Sequence, residues 1–382
     1  MKILSLILLF LAIKANTAQA TDLSIGGYTQ ANPVHIRAEL PPPLGESIFW
    51  EYRLQNRLNL RWNATSHLDF HWQMRNRFFA GDLVQEFPFY ANQIDTDEGI
   101  VNLSWMVTEQ DDWFVHHIPD RLYTEWDRGN WNIRIGRQRI NWGINTITNP
   151  NDLFNIYSFY DFDYPERPGS DAVRIQYFRG FGSRAELALR TAEDLQNSIA
   201  AGLYAFNAYN FDFQVIGGYY RERATLGGGW ASDVSGIGFK GETMFYADID
   251  ADNDRETNFI ASASADYMFR GGFYGMMELL YNHEGGRETF LLMTETLTPD
   301  NPSFSRYQIT TRGRYPFHTL VNGSLSLLYY PDESTVFVSP QVTWSVLQDM
   351  DFILLGQFFV GSDDSVFGTA GNLGTATLKY HF

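Results

Sequence analysis

The chain has 382 residues, with 28 Lys and Arg against 45 Asp and Glu, a formal net charge of −17, and no cysteine. That balance excludes a nucleic-acid binder, which needs basic surface to neutralise phosphates, and the missing cysteines exclude disulfides as a source of stability. Aromatic residues make up 16% of the chain, including 21 Tyr and 10 Trp, more than a soluble β-sandwich needs to fill its core.

Taken from the start, Lys2 precedes an apolar run to Ile13 broken only by Ser5, and Ala18-Gln19-Ala20 follows with small residues at both cleavage-recognition positions. This reads as a secretory signal peptide cut after Ala20; the run is too short to span a bilayer core about 30 Å thick. Loss of Lys2 and Lys14 takes the formal charge from −17 to −19. No later segment approaches eighteen consecutive apolar residues, which excludes helical spans. Strands of a membrane barrel cross in about 9–11 tilted residues with a two-residue period, and aromatic girdles at both interfaces account for the Tyr and Trp excess.

A first strand is predicted over 23–30, followed by a connection through Pro41-Pro42-Pro43. The clearest pair comes next. Trp50, Tyr52, Leu54, Leu58, Leu60 and Trp62 share one face, with Glu51, Arg53, Gln55, Arg57, Asn59 and Arg61 on the other. After a turn at 63–66 the pattern resumes, with Leu68, Phe70, Trp72, Met74 and Phe78 against Asp69, His71, Gln73, Arg75 and Arg77. Two long strands with one apolar and one polar face make a hairpin. With the turn at 63–66, residue numbers of direct partners sum to 128 or 130, so Arg53 is expected to face Arg75 or Arg77. Like charges in that position are destabilising, so an acid must reach them from elsewhere.

Alternation recurs around 173–177, 185–189, 211–215, 259–267, 321–329 and 338–346. Short turns are expected at 63–66, 128–130, 179–183, 207–210, 270–272 and 348–351. Long connections are expected at 80–116, 142–170, 248–256, 283–303 and 361–371, which is the outer-membrane pattern of short periplasmic turns and long outer loops. Within 80–116, the stretch 100–107 fits a strand, a loop hairpin or a short helix. The 362 residues left after the 20 of the signal peptide, at roughly 20–23 per strand with its share of turn and loop, give 16 to 18 strands.

The stretch 131–174 reads WNIRIGRQRINWGINTITNPNDLFNIYSFYDFDYPERPGSDAVR. It is a strand that breaks phase at Gly136, a long loop, and a strand. Loops this long in a compact protein are usually functional, and this one is expected to fold into the lumen. GRQRINWG, NPNDLFN and YPERPGSDAVRIQY resemble a largely uncharacterised family of porin-like outer-membrane barrels of Gram-negative bacteria, best known from bacteroidetes. The resemblance implies location and architecture, with channel activity by analogy, and carries no catalytic residue.

Arg53, Arg57, Arg75, Arg77 and Arg134 fall on polar faces, and Arg137 and Arg139 follow the phase break. The loop offers Asp152, Asp161, Asp163 and Glu166 as counter-charges. These eleven residues are the candidate constriction, where a basic wall facing an acidic loop would select solutes by charge; the alternative is that the arginines pair with lumenal acids and stiffen the wall. At the end of the chain Ala376, Leu378, Tyr380 and Phe382 alternate with polar residues, and Tyr380 and Phe382 resemble the recognition signal of the barrel-assembly machinery.

Other motifs carry less. His67 and His71, four strand residues apart, are about 13 Å from each other, too far to share a metal ion, and the adjacent His116 and His117 point to opposite faces. Asp248 to Glu256 alternates acids like a calcium loop but has Asn253 at the glycine position and Phe259 at the twelfth; a solvated outer loop, bridged by divalent cations to lipopolysaccharide, is the other reading. TLGGGW at 225–230 lacks the strand-to-helix context of a phosphate loop. Ser, His and Asp are available for a barrel hydrolase, but no local motif joins them. The expectation is therefore an all-β, transmembrane antiparallel barrel with an inward-folded loop and no cofactor, passing small hydrophilic solutes. Its partners would be outer-membrane lipid, lipopolysaccharide and the assembly machinery; a homo-oligomer is left open because lipid-facing and partner-facing surfaces look alike. A barrel enzyme and a surface-binding barrel are the alternatives.

Overall fold

The computed structural model describes residues 22–40, 45–97, 99–155, 159–161, 166–192, 194–249, 257–285, 297–362, 365, 367 and 370–382. The predicted signal peptide, Pro41-Pro42-Pro43, Asp163 and residues 250–256 of the acidic loop lie outside the described residues.

The first half of the chain forms β1 (Leu23–Leu40), β2 (Gly45–Thr65), β3 (Leu68–Gly81), the five-residue helices α1 (Asp82–Glu86) and α2 (Tyr90–Ile94), β4 (Trp105–Glu109), β5 (Trp113–Arg128), β6 (Trp131–Gln138) and β7 (Ser170–Arg179). It continues with β8 (Ser183–Arg190), β9 (Ile199–Ala208), β10 (Phe211–Tyr220), β11 (Arg223–Val234), β12 (Ile237–Asp248) and β13 (Asn258–Met268). The last six are β14 (Tyr274–Asn282), β15 (Tyr307–His318), β16 (Val321–Tyr330), β17 (Thr335–Leu347), β18 (Met350–Val360) and β19 (Asn372–His381). Every pairing is antiparallel, and β1 bonds to both β2 and β19, which closes the sheet. Strand β4 pairs only with the start of β5, so the closed barrel has 18 strands. Closure leaves no edge, which is what lets strands lie in lipid without orphaned backbone groups.

Burial decides which face is which. On β2, Glu51, Gln55 and Arg57 are 0%, 3% and 2% exposed, while Trp50, Tyr52 and Trp62 are 45%, 54% and 51% exposed. A soluble sheet would bury the opposite set. The polar face looks into the barrel and the aromatic face looks out, as a lipid-embedded wall requires.

One end of the barrel carries the short turns, including Gly129-Asn130 and Tyr209-Asn210, and the other carries the long connections, as predicted. The structure adds turns at Ser235-Gly236 and Thr319-Leu320 and a tight turn at Arg221-Glu222 on the loop end. Strand β1 runs ten residues past the predicted 30, through Pro33; the β19 ladder skips from Ala31 to Val34 around it, because proline has no N–H to offer. The 100–107 stretch ends in a strand, β4, forming a hairpin with β5. Ahead of it, α1 and α2 pack inside the barrel, with Leu83, Tyr90 and Ala91 against Val34, Phe49, Phe79 and Phe114.

The register of the first hairpin differs from expectation. Partner numbers sum to 132: Arg53 faces Phe79, Gln55 faces Arg77 and Arg57 faces Arg75. The turn is Ser66-His67, later than the 63–66 centre, and a bulge between Asn63 and Thr65 absorbs the extra residue. Two arginines still meet directly, but the pair is Arg57 and Arg75.

Candidate functional site

The described residues of the connection 139–169 between β6 and β7 lie against the inner wall of the barrel. Near its start, Trp142 Nε1 donates to Glu186 on β8 at 2.7 Å, and Gln214 on β10 donates to the Trp142 carbonyl at 2.7 Å. Glu242 on β12 accepts the backbone N–H groups of Ile144, Asn145 (2.6 Å) and Asn151 (2.9 Å). The Asn145 side chain bonds to Ser262 and Ser264 on β13. Glu278 on β14 accepts from Ile147 at 3.2 Å and Thr148 at 2.7 Å, and Gln308 on β15 donates to the Thr148 hydroxyl at 3.2 Å. Tyr160 bonds to Tyr330 on β16, and Gln357 on β18 donates to its carbonyl at 2.9 Å. Glu166 then reaches Tyr28 on β1, and Arg121 on β5 donates to the carbonyls of Glu166 and Arg167.

The contacts advance from β8 to β15 as far as Thr148 and then double back, with Asn151 returning to Glu242 on β12 and Asn155 to Ser170 at the start of β7, before Tyr160 meets β16 and β18 and Glu166 meets β1; we call this folded layer inside the barrel the belt.

Local chemistry explains why the sequence folds this way. A loop buried against a wall must satisfy its backbone N–H groups, and ionised carboxylates accept several at once. Ile140, Trp142, Leu153 and Phe154 pack onto Leu203, Ile216, Met244 and Ile260 of the wall. Gly229, within the TLGGGW stretch on β11, leaves the room: a Cβ there would stand 2.8 Å from Ile144 and 3.1 Å from the Asn151 amide. Glycine in a strand here marks a close approach.

The candidate residues fall into separate groups. Arg57, 2% exposed, donates to Asp120 at 2.6 and 3.2 Å, to Gln73 at 2.9 Å and to Asn59 at 3.1 Å, with Glu166 3.8 Å from its Nε. Arg75, opposite, is 3% exposed. Arg53 pairs with Glu51 at 2.8 Å, and Arg77 lies 3.0 Å from His116 Nδ1. Arg134 pairs with Glu125 at 2.7 Å, while Arg137 sits between Asp97 and Asp171, 2.7 Å from each. Asp152 is buried under the belt, 3.5 Å from Arg167 and within electrostatic reach of Arg139. Burial outweighs both cations and pushes its carboxyl up to about 8. Asp161 is exposed. Glu166 stands beside the Arg57 and Arg75 wall, 3.8 Å from Arg57. Tyr380 faces outward at 41% exposure, and Phe382 exchanges backbone hydrogen bonds with Gly27 at 3.0 and 3.1 Å.

Sequence reasoning missed Glu186, Glu242, Glu278, Asp120, Arg121 and Tyr28. A signal existed for one of them: Glu278 stands alone in the apolar strand GMMELLY.

A serine, a histidine and an acid do meet at one place. Ser104 Oγ donates to Asp95 at 2.5 Å and lies 2.7 Å from His116 Nε2, while Arg77 contacts Nδ1. A guanidinium only donates, so Nδ1 accepts and the proton of the neutral ring sits on Nε2. The ring thus donates to Ser104 and cannot take its proton, the reverse of an activated nucleophile.

No family model and no curated protein matches this sequence. Solved structures do match over nearly the whole chain. The outer membrane protein OprD from Pseudomonas aeruginosa aligns with a TM-score of 0.58 and 8% identity, covering 96% of this chain and 95% of its own. The chain has the fold of these barrels. OccAB4 from Acinetobacter baumannii gives a TM-score of 0.57 at 9% identity, covering 96% of this chain and all of its own (100%). OccK11 (OpdR) from Pseudomonas aeruginosa gives 0.57 at 10% identity, covering 94% and 96%.

Proposed function

We propose that the protein is an outer-membrane, porin-like channel for passive or weakly selective diffusion of small hydrophilic solutes, with the 139–169 belt as its constriction. One observation carries the reading: a closed barrel with a polar inner face is narrowed by a loop whose own backbone is hydrogen-bonded to that face. Eighteen strands belong to the size class that leaves a water-filled lumen. The likeness to outer-membrane barrels supports the location, as does the signal peptide over residues 1–20. The GRQRINWG and NPNDLFN stretches, which form or anchor the belt, support membership of the porin-like family named above.

Arg53, Arg57, Arg75, Arg77, Arg134, Arg137 and Arg139 line the passage together with acids that pair with several of them, Glu51, Asp120, Glu125, Asp97 and Asp171, so that fixed charges of both signs act on permeant solutes. The long-loop end faces outward, towards lipopolysaccharide, and the terminal strand ending at Phe382 is read during assembly. Purified protein in planar bilayers tests the function. Discrete conductance steps are expected; folded barrel that inserts without steps would instead favour a surface-binding protein or an enzyme.

A further inference from the structure

Lipid imposes one pattern on the outside of a barrel, an apolar band about 25 Å tall between two aromatic girdles. The sector formed by β1 to β5 departs from it in both directions. Strands β1 and β2 have 18 and 21 residues, against 8 each in β6 and β8. On β2 the outward face runs from Trp62 near the turn up to Ile48, which at about 3.3 Å per residue and a tilt of about 40° is roughly 35 Å along the bilayer normal. About 10 Å of that height stands above the band. The side chains there stay apolar: Ile48, Trp50 and Tyr52, and on β4 Trp105 and Val107, are all exposed.

Within the band the same sector is too polar. Thr29, Asn56, Asn76 and His117 are direct partners across β1, β2, β3 and β5. Asn56 shares its face with Tyr52 and Trp62 and lies between them, so the row points outward. Asn56 Nδ2 donates to Thr29 Oγ1 at 3.0 Å, Asn76 Nδ2 to Asn56 Oδ1 at 3.4 Å, and His117 Nδ1 to Asn76 Oδ1 at 2.5 Å. With its proton on Nδ1 the neutral His117 ring presents Nε2 as an acceptor, and Asn76 keeps a second N–H. Neither finds a hydrogen-bond partner among the described residues. Hydrocarbon offers none, and a polar group left unbonded there costs free energy.

We propose that this sector is the contact face between two copies of the protein, related by a twofold axis along the bilayer normal. Apolar surface above the lipid and hydrogen-bonding groups within it are both matched by protein, and by neither water nor acyl chains. A second copy inserts in the same orientation and so presents each feature at the same depth. Polar row meets polar row, offering an N–H to His117 Nε2 and an acceptor to the Asn76 amide, and apolar patch meets apolar patch. Charge fits as well: Arg37 and Glu46, 2.5 Å apart and more than half exposed at the top of the wall, are an opposite pair on one face and complement their own copy. One contiguous patch suits an isologous twofold contact, which uses the same surface twice, whereas a heterologous ring needs two different patches on each copy. Four strands about 4.8 Å apart and tilted about 40° are roughly 25 Å wide, so the face offers on the order of 800 Å² per copy, the area of a stable interface. The contact lies outside the lumen and is independent of the channel reading.

The test uses the full chain, which has no cysteine of its own. Leu58→Cys lies on the outward face of β2 beside Asn56, and Leu226→Cys on the outward face of β11, across the barrel. Treated with a short bis-maleimide in native outer membranes, Leu58→Cys should give a covalent dimer as its main product and Leu226→Cys little or none. Sedimentation of the unlinked wild-type barrel in mild detergent should give twice the chain mass. Asn76→Leu, which suits lipid better than an amide does, should raise the dimer dissociation constant about tenfold, the equivalent of one or two lost hydrogen bonds, while folded yield holds or rises. A wild-type monomer in sedimentation overturns the contact, and so does equal cross-linking at the two positions. An adduct of Leu58→Cys with a different polypeptide overturns the second copy as occupant. An unchanged dissociation constant for Asn76→Leu overturns the role of the polar row. Should Asn76→Leu fail to fold, the wild-type mass and the cysteine pair still decide. No step measures conductance, so a barrel that proves closed to solutes contradicts the channel reading and leaves this one standing.

Discussion

Arg57 and Arg75 face one another across β2 and β3, an arrangement tolerable only because acids from other strands reach it. Asp120 does so most closely. Both members of the Arg57 and Asp120 pair are 2% exposed, so Arg57→Ala strands a buried carboxylate and should cost about 3–5 kcal/mol. Adding Asp120→Asn should restore part of that. Urea titration of the folded barrel checks both, and a loss from Arg57→Ala below about 1 kcal/mol, the range of an exposed pair, would mean that water already reaches the site. Asp152 gives a pH signature. Folding raises its pKa from 3.8 to about 8, so the fold favours the protonated form. Its contribution is fully present below about pH 4 and is lost as pH rises through about 8. Asp152→Asn should come nearest to wild-type stability below about pH 4, gain on it steadily as pH rises, and exceed it most by about pH 8–9; equal stability at every pH would show the carboxyl to be solvated. At this scale the sequence was informative about polarity and poor about partners. Alternation puts Arg57 on the inner face, but nothing in the chain marks Asp120, sixty-three residues away, as its counter-ion.

The belt is the element through which sequence and function connect. Its motif residues Trp142, Asn145, Asn151, Asp152 and Phe154 were visible as an unusual stretch, and the structure gives the physical reason: they bury against the wall or bond to it. Its path was not legible, because the acceptors are single acids, each in a different strand, that look like any lumenal carboxylate. The same limit applies to α1 and α2, five residues each, too short to show a helical period. Gly229 tests the fit. Gly229→Leu places a side chain where Ile144 and Asn151 now lie, so it should alter conductance while the barrel still shows heat-dependent gel mobility. Unchanged conductance would mean that the belt does not define the aperture. Glu242→Gln, which exchanges an acceptor-only group for one carrying donors, should increase current noise and protease cutting within 139–169.

For the whole molecule, the two-residue period was decisive, since lipid on one side and water on the other impose the same alternation on every strand. Registers were harder, since a turn displaced along the chain shifts every pairing while preserving parity, as in the first hairpin. Sidedness follows from loop lengths and can be checked cleanly, because the chain has no cysteine of its own. Asp111→Cys, between β4 and β5, should react with an impermeant maleimide on intact cells; Tyr209→Cys, 94% exposed at the turn end, should react only after permeabilisation. The reverse pattern would invert the barrel. Phe382, zipped to Gly27, bears on assembly: Phe382→Asp should lower the yield of folded barrel without changing conductance per molecule, and an unchanged yield would argue against a terminal recognition role. The central claim, an open polar passage narrowed by the belt, is tested most directly by solute flux into liposomes carrying the purified barrel. Swelling rates should fall steeply with solute size through a series of uncharged sugars, and rise across the series for Gly229→Leu or Glu242→Gln if the belt loosens from the wall. Liposomes with correctly folded protein that admit none of the sugars and none of the small ions would contradict the account.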